Sequence, residues 1–470
     1  MVTTPDEILT RLNEKETDWV DLRFTDSRGK WHHLTMARRA ITEALLEDGI
    51  PFDGSSMSGW KAIHESDMIL KPDLDAVYFD PFSATPMAIA ICDVVEPATG
   101  EFYARDPRAT ARRAESHLKS TGIGDTAYVG PEMEFFMFDD VRFATGYSGS
   151  SHNIDDIELP TNSARQYQEG NLGHRPRPQG GYLPVAPVDS ATDIRAEMVQ
   201  TMLDMGLPCD KHHHEVAPAQ HELGLEYGTL LQSADRVQIY KYVVQMVAQA
   251  YGKTATFMPK PIAADSGSGM HMHFSLWRDS KPLFAGERYA GLSDTALYFI
   301  GGILRHACSL SAFTNPTTNS YKRLVPGHEA PVLLAYSSRN RSAACRIPYG
   351  LSASAKRVEV RFPDPMANPY LAFSALLMAG LDGIENRIHP GDAMDRNLYD
   401  LPPMEQAQIP SLCRTLRQSL AALAEDRSYL TRGDVFSNDQ IDSYLALRGE
   451  DVRRLESTPC PIEFEMYYSA

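Results

Sequence analysis

An α+β protein of at least two domains is what this sequence predicts, on three observations. Helical and strand-like periods alternate from the first residues onward. The chain runs to 470 residues, more than a single hydrophobic core usually fills. A turn-rich stretch, Pro97-Ala-Thr-Gly100, closes a first block of short elements before a longer amphipathic pattern begins.

In the first block, Ile8, Leu9 and Leu12 recur at helical spacing, and Asp18 to Phe24 reads as a strand. The turn Asp26-Ser-Arg-Gly29 leads to a second strand, Trp31 to Thr35, so the two form a hairpin. Phe52-Asp-Gly-Ser-Ser-Met-Ser-Gly59 is a small-residue loop without the spacing of a phosphate-binding loop, and by itself reads as a plain turn. Val77 to Asp80 and Met87 to Val94 add strands. Beyond the boundary, Pro107 to Leu118 is an amphipathic helix, followed by the acidic strand Tyr128-Val-Gly-Pro-Glu-Met-Glu-Phe-Phe-Met-Phe138. Residues 139 to 190 are rich in Gly, Ser, Asn and Pro and are expected to be irregular. Ser190 to Met205 is a helix, Cys209 to Glu222 two strands joined by Ala217-Pro218-Ala219, and Ala234 to Tyr251 a long helix. Ala255 to Met258 and Gly269 to Leu276 read as strands, Leu297 to Leu310 and Pro369 to Ile384 as apolar helices, and Leu412 onward as helical.

The formal charge of −17 argues against a general nucleic-acid or anionic-membrane surface. Six scattered cysteines without a Cys-x-x-Cys pair read as reduced thiols. The acidic start of the chain is no signal peptide, and the longest apolar run, Leu371 to Leu381, is too short to span a bilayer. A cytoplasmic location is expected.

The chemistry concentrates on four stretches with a period of two. Glu132 and Glu134 share one face of their strand, with Met133 and Phe135 on the other. Taken alone, such a pair is more often the solvent face of a sheet than a metal site. But His213 and Glu215 also share a face, with Glu222 soon after; so do His271, His273 and Ser275, and likewise Arg357, Glu359 and Arg361. His212 and His214 read as ordinary strand histidines. Carboxylates with an occasional imidazole suit Mg²⁺ or Mn²⁺ better than a structural zinc. Arg323, Arg339, Arg341, Arg346, Arg357 and Arg361 crowd into one region of an acidic chain, a local anion site if they are not simply a solvated face. Divalent ions with an arginine clamp are the machinery of phosphoryl transfer.

The motifs Phe52-Asp-Gly-Ser-Ser56, Gly130-Pro-Glu-Met-Glu134, Gly173-His-Arg-Pro176, His213-His-Glu-Val216, Gly267-Ser-Gly-Met-His271, Arg323-Leu-Val-Pro-Gly327, Asn340-Arg-Ser342, Glu359-Val-Arg-Phe-Pro-Asp364 and Asn397-Leu-Tyr-Asp-Leu-Pro-Pro403 run in order over nearly the whole chain. Together they resemble the type I glutamine synthetases of bacteria, in the adenylylation-regulated subclass. The resemblance implies a small N-terminal β-grasp domain, 1–103, and a large catalytic α/β domain, 104–470, with a curved, mostly antiparallel sheet flanked by helices. It implies ligation of ammonium to the γ-carboxylate of L-glutamate with ATP, through γ-glutamyl phosphate. It also implies two or more divalent cations per subunit, and a homododecamer of two hexameric rings.

The same resemblance assigns Glu134, Glu215 and Glu222 to one ion and Glu132, His271 and Glu359 to a second. Arg323 and Arg361 would hold substrate carboxylates and the transferring phosphoryl, and Arg341, Arg346 and Arg357 phosphate charge. Gly267 would bind the amino acid, Tyr227 and Ser275 line the nucleotide pocket, and Glu329 sit on a mobile flap. Asp53, from a neighbouring subunit, would bind ammonium and take its proton, and Tyr399 would accept an adenylyl group from an adenylyltransferase. Two departures stand out: Ser266 replaces a usual Asn, and Ser352-Ala-Ser-Ala355 lacks a usual lysine, with Lys356 a step later. Ser266 keeps open a γ-glutamyl-amine ligase of the same superfamily. A non-catalytic structural relative should have lost metal ligands, and all six are present.

Overall fold

The computed structural model describes residues 3–61, 63–159, 173–325 and 330–468. The first block holds α1 (Pro5–Glu14), β1 (Trp19–Thr25), β2 (Trp31–Ala37), α2 (Glu43–Asp48), β3 (Ile50–Asp53), β4 (Asp67–Asp80) and β5 (Met87–Val95). Thr4 and Glu7 close a capping box at the start of α1, which buries Ile8 and Leu12 against the sheet. The five strands lie in the order β2-β1-β5-β4-β3, with only β1 and β5 parallel, and β1–β2 is the hairpin expected from the turn at Gly29.

The second block begins with α3 (Pro107–Thr121) and β6 (Thr126–Phe138), then β7 (Asp140–Gly146), β8 (Gly149–Asp155), α4 (Thr192–Asp204), β9 (Cys209–His214), β10 (Gln220–Leu225), β11 (Gly228–Thr229), α5 (Leu230–Ala250) and β12 (Thr254–Thr256). It continues through β13 (Met270–Arg278), β14 (Lys281–Pro282), α6 (Asp294–Arg305), α7 (Ala307–Thr314), α8 (Ser320–Arg323), β15 (Tyr336–Ser338), β16 (Cys345–Ile347) and β17 (Val358–Val360). The helices α9 (Pro369–Glu385), α10 (Pro403–Gln406), α11 (Leu416–Glu425), α12 (Asn438–Glu456) and α13 (Pro461–Tyr467) finish the chain. The main sheet runs β15-β16-β17-β13-β6-β10-β9, antiparallel except for β15 with β16. Met133, Phe135 and Met137 of β6 are buried in the main core with α5 and α9, so the opposite face of β6 is left for the acids.

Buried ions join the blocks. Arg108 of α3, 2% exposed, reaches Asp93 at 2.7 Å, Asp73 at 2.6 Å and Asp235 of α5 at 2.8 Å. Three carboxylates around one guanidinium satisfy its donors in a place that excludes water.

Two elements differ from expectation. Part of the segment expected to be irregular is a regular hairpin, β7–β8, paired from Asp140–Asp155 to Gly146–Gly149. The apolar helix read across Leu297 to Leu310 is two helices, α6 and α7, bent by 77°. Close packing fixes α6 before the bend: a Cβ on Gly302 would fall 1.9 Å from the Ala379 carbonyl of α9. His306 occupies the bend, with Nε2 3.0 Å from Asp382, Nδ1 2.8 Å from Asp426, and its ring stacked on Tyr429 at 4.0 Å. Among the described residues no single helix is long and apolar enough to cross a membrane.

Burial disfavours a charge on His306, but the two carboxylates outweigh it and raise its pKa above the ordinary 6.5. A raised folded-state value stabilises the protein fully below the unfolded value of 6.5 and loses that effect as the pH climbs through the folded value. His306→Ala should therefore cost about 3 kcal/mol at pH 6, with the gap to the parent narrowing above pH 7 in thermal melts. A gap that stays constant from pH 6 to 9 would refute the ion-pair account.

Candidate active site

Strand register, added to the period of two, assembles the acids. Across β6, Glu132 lies opposite His271 of β13, and Glu134 opposite Glu222 of β10. Glu222 lies opposite His213 of β9, and His273 opposite Glu359 of β17. Glu132, His271, Glu134, Glu222 and His213 face a cavity of about 410 Å³ lined also by Glu215, Gln179, Tyr182, Lys211, Ser266, Gly267, Arg323, Arg341 and Arg361, while Glu359 is fully buried and does not line it.

Two triads stand out. Glu132, His271 and Glu359 offer ligand atoms all within 4.8 Å of one another, the set expected for one ion. His213, Glu215 and Glu222 form the other. The period of two already puts His213 on this face; the structure adds that it closes the triad, while Glu134 stands beside it. His213 lies 3.3 Å from Glu215 and 3.5 Å from Glu222. Both sets combine carboxylate oxygen with one imidazole, a donor chemistry that fits Mg²⁺ or Mn²⁺. The electrostatics agree. Burial, then the facing Glu222, push the Glu134 carboxyl up to about 7, a strain that a cation between them would relieve. Burial also lowers the His271 imidazole, leaving it neutral and able to coordinate. Glu359 is fully buried, yet Arg361 and the neighbouring cations overcome its burial and bring its carboxyl down to about 2.

The arginines divide by what holds them. Arg323 is buried and donates to the carbonyls of Phe362 (2.8 Å), Pro363 (3.2 Å) and Arg361 (3.2 Å), so its backbone-facing edge is locked. Gly269 permits that approach, since a Cβ there would lie 2.5 Å from Arg323 Nη2. Arg361 pairs with Glu359 and donates to the Arg341 carbonyl at 3.1 Å. Arg346 reaches Glu359 at 2.5 Å, and its buried Nε has no partner among the described residues. An orphaned guanidinium donor beside a metal-ligand set is what an anionic ligand would satisfy. Arg357 donates to His273 Nδ1 at 3.1 Å, and Arg341 is exposed at the cavity wall.

Other expected residues lie outside the cavity. Tyr227, 65% exposed, packs its edge on Tyr128, which meets Trp277 likewise, while Trp277 Nε1 donates to Ser275 at 3.1 Å. This aromatic group sits further along β13 from His271, by about 13 Å at the usual strand rise. Asp53 is exposed, does not line the cavity, and accepts from Ser55 Oγ and Ser56 Oγ at 2.6 Å each. Tyr399 is half-buried on a short turn and contributes to the field at Arg323. Glu329 lies outside the described residues. Lys356, the lysine displaced by a step, is tied to the Ala290 carbonyl at 2.7 Å.

The reverse face of β9–β10 carries a polar network with no periodic signature in sequence. Glu158, 1% exposed, accepts from His214 Nε2 (2.8 Å), Ser190 Oγ (2.5 Å) and the Ala219 N–H (2.7 Å). His214 Nδ1 faces the carbonyls of Glu215 (2.6 Å) and Gly181 (2.8 Å). Gly181 allows this junction, because a Cβ there would meet the Glu215 carbonyl at 2.7 Å. Glu158 thus acts through His214 on the backbone of Glu215 and on the loop carrying Tyr182. Glu158→Gln should weaken Mn²⁺ binding to the metal-free protein by about 10-fold or more, read by calorimetry, with little change in melting temperature. Unchanged affinity would reduce the network to packing.

A family model described as the glutamine synthetase β-grasp domain matches residues 16–97, and one described as the glutamine synthetase catalytic domain matches residues 104–467. Glutamine synthetase of Rhizobium meliloti is 59% identical over 468 residues, covering 100% of both chains. That of Escherichia coli K12 is 57% identical over 465 residues and covers 99% of each. The solved glutamine synthetase of Plasmodium falciparum superposes with a TM-score of 0.91 at 27% identity over 100% of both chains.

Proposed function

The chain belongs to the glutamine synthetase family, and on that premise we propose the residue roles by which it joins ammonium to the γ-carboxylate of glutamate at the expense of ATP. The observation that carries the reading is the pair of carboxylate–imidazole triads on one sheet face beside the orphaned Arg346 donor.

Arg323 and Arg361 hold the glutamate carboxylates, and the backbone at Gly267 receives the amino group. Arg346, Arg357 and Arg341 take the phosphate charge, and Tyr227 and Ser275 flank the nucleoside at the aromatic end of β13. Glu132, His271 and Glu359 would hold one divalent ion and Glu215 and Glu222, with Glu134 and His213 beside them, another. When bound, such ions neutralise phosphate charge and align the γ-phosphoryl with the attacking carboxylate. The γ-carboxylate displaces ADP to give γ-glutamyl phosphate, and ammonia then displaces phosphate. A carboxylate is a poor acyl electrophile, and phosphorylation supplies its leaving group. Hydrogen bonds from Ser55 and Ser56 hold the Asp53 carboxyl below the usual range, which suits a charged partner such as ammonium.

Assembly into two stacked hexameric rings is part of the proposal. The exposed Phe464, Met466 and Tyr467 of α13 are an apolar end suited to burial against another copy. Adenylylation of Tyr399, a Glu329 flap and a cytoplasmic location belong to it too. Purified protein with ATP, Mg²⁺, glutamate and ammonium should release phosphate and form glutamine. Phosphate release that requires an added alkylamine would instead favour the γ-glutamyl-amine ligase.

A further inference from the structure

Cys308, in the first turn of α7, and Cys413, just ahead of α11, are distant in sequence, yet the fold brings them close enough for each thiol to perturb the other's titration. Cys308 Sγ also lies 3.7 Å from the carbonyl oxygen of Ser411, two residues before Cys413. Both are partly exposed, whereas Cys92, Cys209 and Cys345 are sealed in the core. Two neighbouring thiols within reach of solvent are the arrangement that oxidation closes.

What the pair would join matters more than the bond. On one side, α7 runs into Asn315, which donates to the Phe362 carbonyl (2.7 Å) and Asp364 (2.9 Å), and then into α8, which ends at Arg323. Tyr321 OH donates to Ser311 of α7 at 3.3 Å, so α8 rides on α7. On the other side, the segment before Cys413 meets the chain that follows Ala330 through an isolated antiparallel bridge between Leu333 and Ser411. Leu412 N–H donates to Val332 at 2.9 Å, and Leu334 N–H to Pro410 at 2.7 Å. The thiols therefore bridge the two stretches on either side of residues 326–329, one of which carries Arg323.

We propose that Cys308 and Cys413 are a dithiol modification site that a low-molecular-weight disulfide oxidises to a cross-link, and that closing it alters glutamate binding at Arg323. The second half rests on the glutamate placement given above. The Cys308 thiolate attacks one sulfur of the oxidant, forming a mixed disulfide and expelling one thiolate. Cys413 then loses its proton and attacks the Cys308 sulfur, expelling the second. The two protein thiols are oxidised, the oxidant is reduced to two thiols, and no other reactant is needed. Sharing a proton with Cys413 holds the Cys308 thiol below its ordinary range, which favours Cys308 as the attacking group.

The test incubates the full-length protein with oxidised glutathione, maps disulfides by non-reducing peptide mass spectrometry and follows glutamine synthesis. A Cys308–Cys413 peptide is expected, with a several-fold higher KM for glutamate, an unchanged KM for ATP, and reversal by dithiothreitol. Cys413→Ser should stop at the mixed disulfide on Cys308, and Cys308→Ser should keep its KM under oxidant. Glutathione adducts without the cross-link overturn the proposal, and so does a cross-link that leaves the glutamate KM unchanged. If the reduced protein makes no glutamine, the functional reading fails instead, and the cross-link result is unaffected by that failure.

Discussion

Glu359→Ala is expected to abolish phosphoryl transfer from ATP, by about 10³-fold or more in kcat, while the assembly keeps its size. Glu359 ties two arginines to the triad. Its carboxylate is 0% exposed, receives Arg346 at 2.5 Å and Arg361, and closes the triad with Glu132 and His271. Alanine removes an ion ligand and releases both guanidiniums from their alignment. It also leaves two cations facing a cavity without their counter-charge, at a cost of about 3–5 kcal/mol in stability. Glu359→Gln separates the two effects, since the amide keeps the volume and still accepts from one arginine. It should recover part of the stability lost in the alanine variant and remain as inactive. Phosphate release, light scattering and thermal melts are the measurements; activity close to the parent in the glutamine variant would remove Glu359 from the ion site.

The legibility of this site followed strand periodicity. Glu132, Glu134, Glu215, Glu222, His271 and Glu359 could be placed on common faces because alternation is local, and the register then brought the first five to one cavity and Glu359 against Glu132 and His271. Order among the strands is not local: nothing in β13 states that His271 will face Glu132 rather than another acid. His213 shows the boundary between the two. Its face was readable, but its place in a triad depends on Glu222 arriving from β10. Glu158 and His214 lay beyond reach, since their bond joins a non-periodic segment to the reverse face of β9. The bend at His306 was hidden for a similar reason, because its carboxylate partners come from α9 and from beyond α11. Apolar periodicity reports which face is buried and says nothing of where polar partners from distant segments interrupt it.

The position of Asp53 leads to the second large effect. Asp53 is exposed in the small domain and does not line the cavity of its own chain. If its carboxylate receives ammonium at a neighbour's site, Asp53→Ala should lose glutamine synthesis by about 10²-fold or more while ATP cleavage to the acyl phosphate persists. Loss of Glu359 in turn disables the site of the chain that carries it. The two defects then sit on opposite sides of a shared site, so each variant is inactive alone and each supplies the residue the other lacks. Unfolding the two variants together and reassembling them in equal amounts should restore about one quarter of parental activity, because random mixing gives that share of sites an intact Glu359 and an intact neighbouring Asp53. Activity no higher than the average of the separate variants would place Asp53 in the site of its own chain or remove it from the reaction.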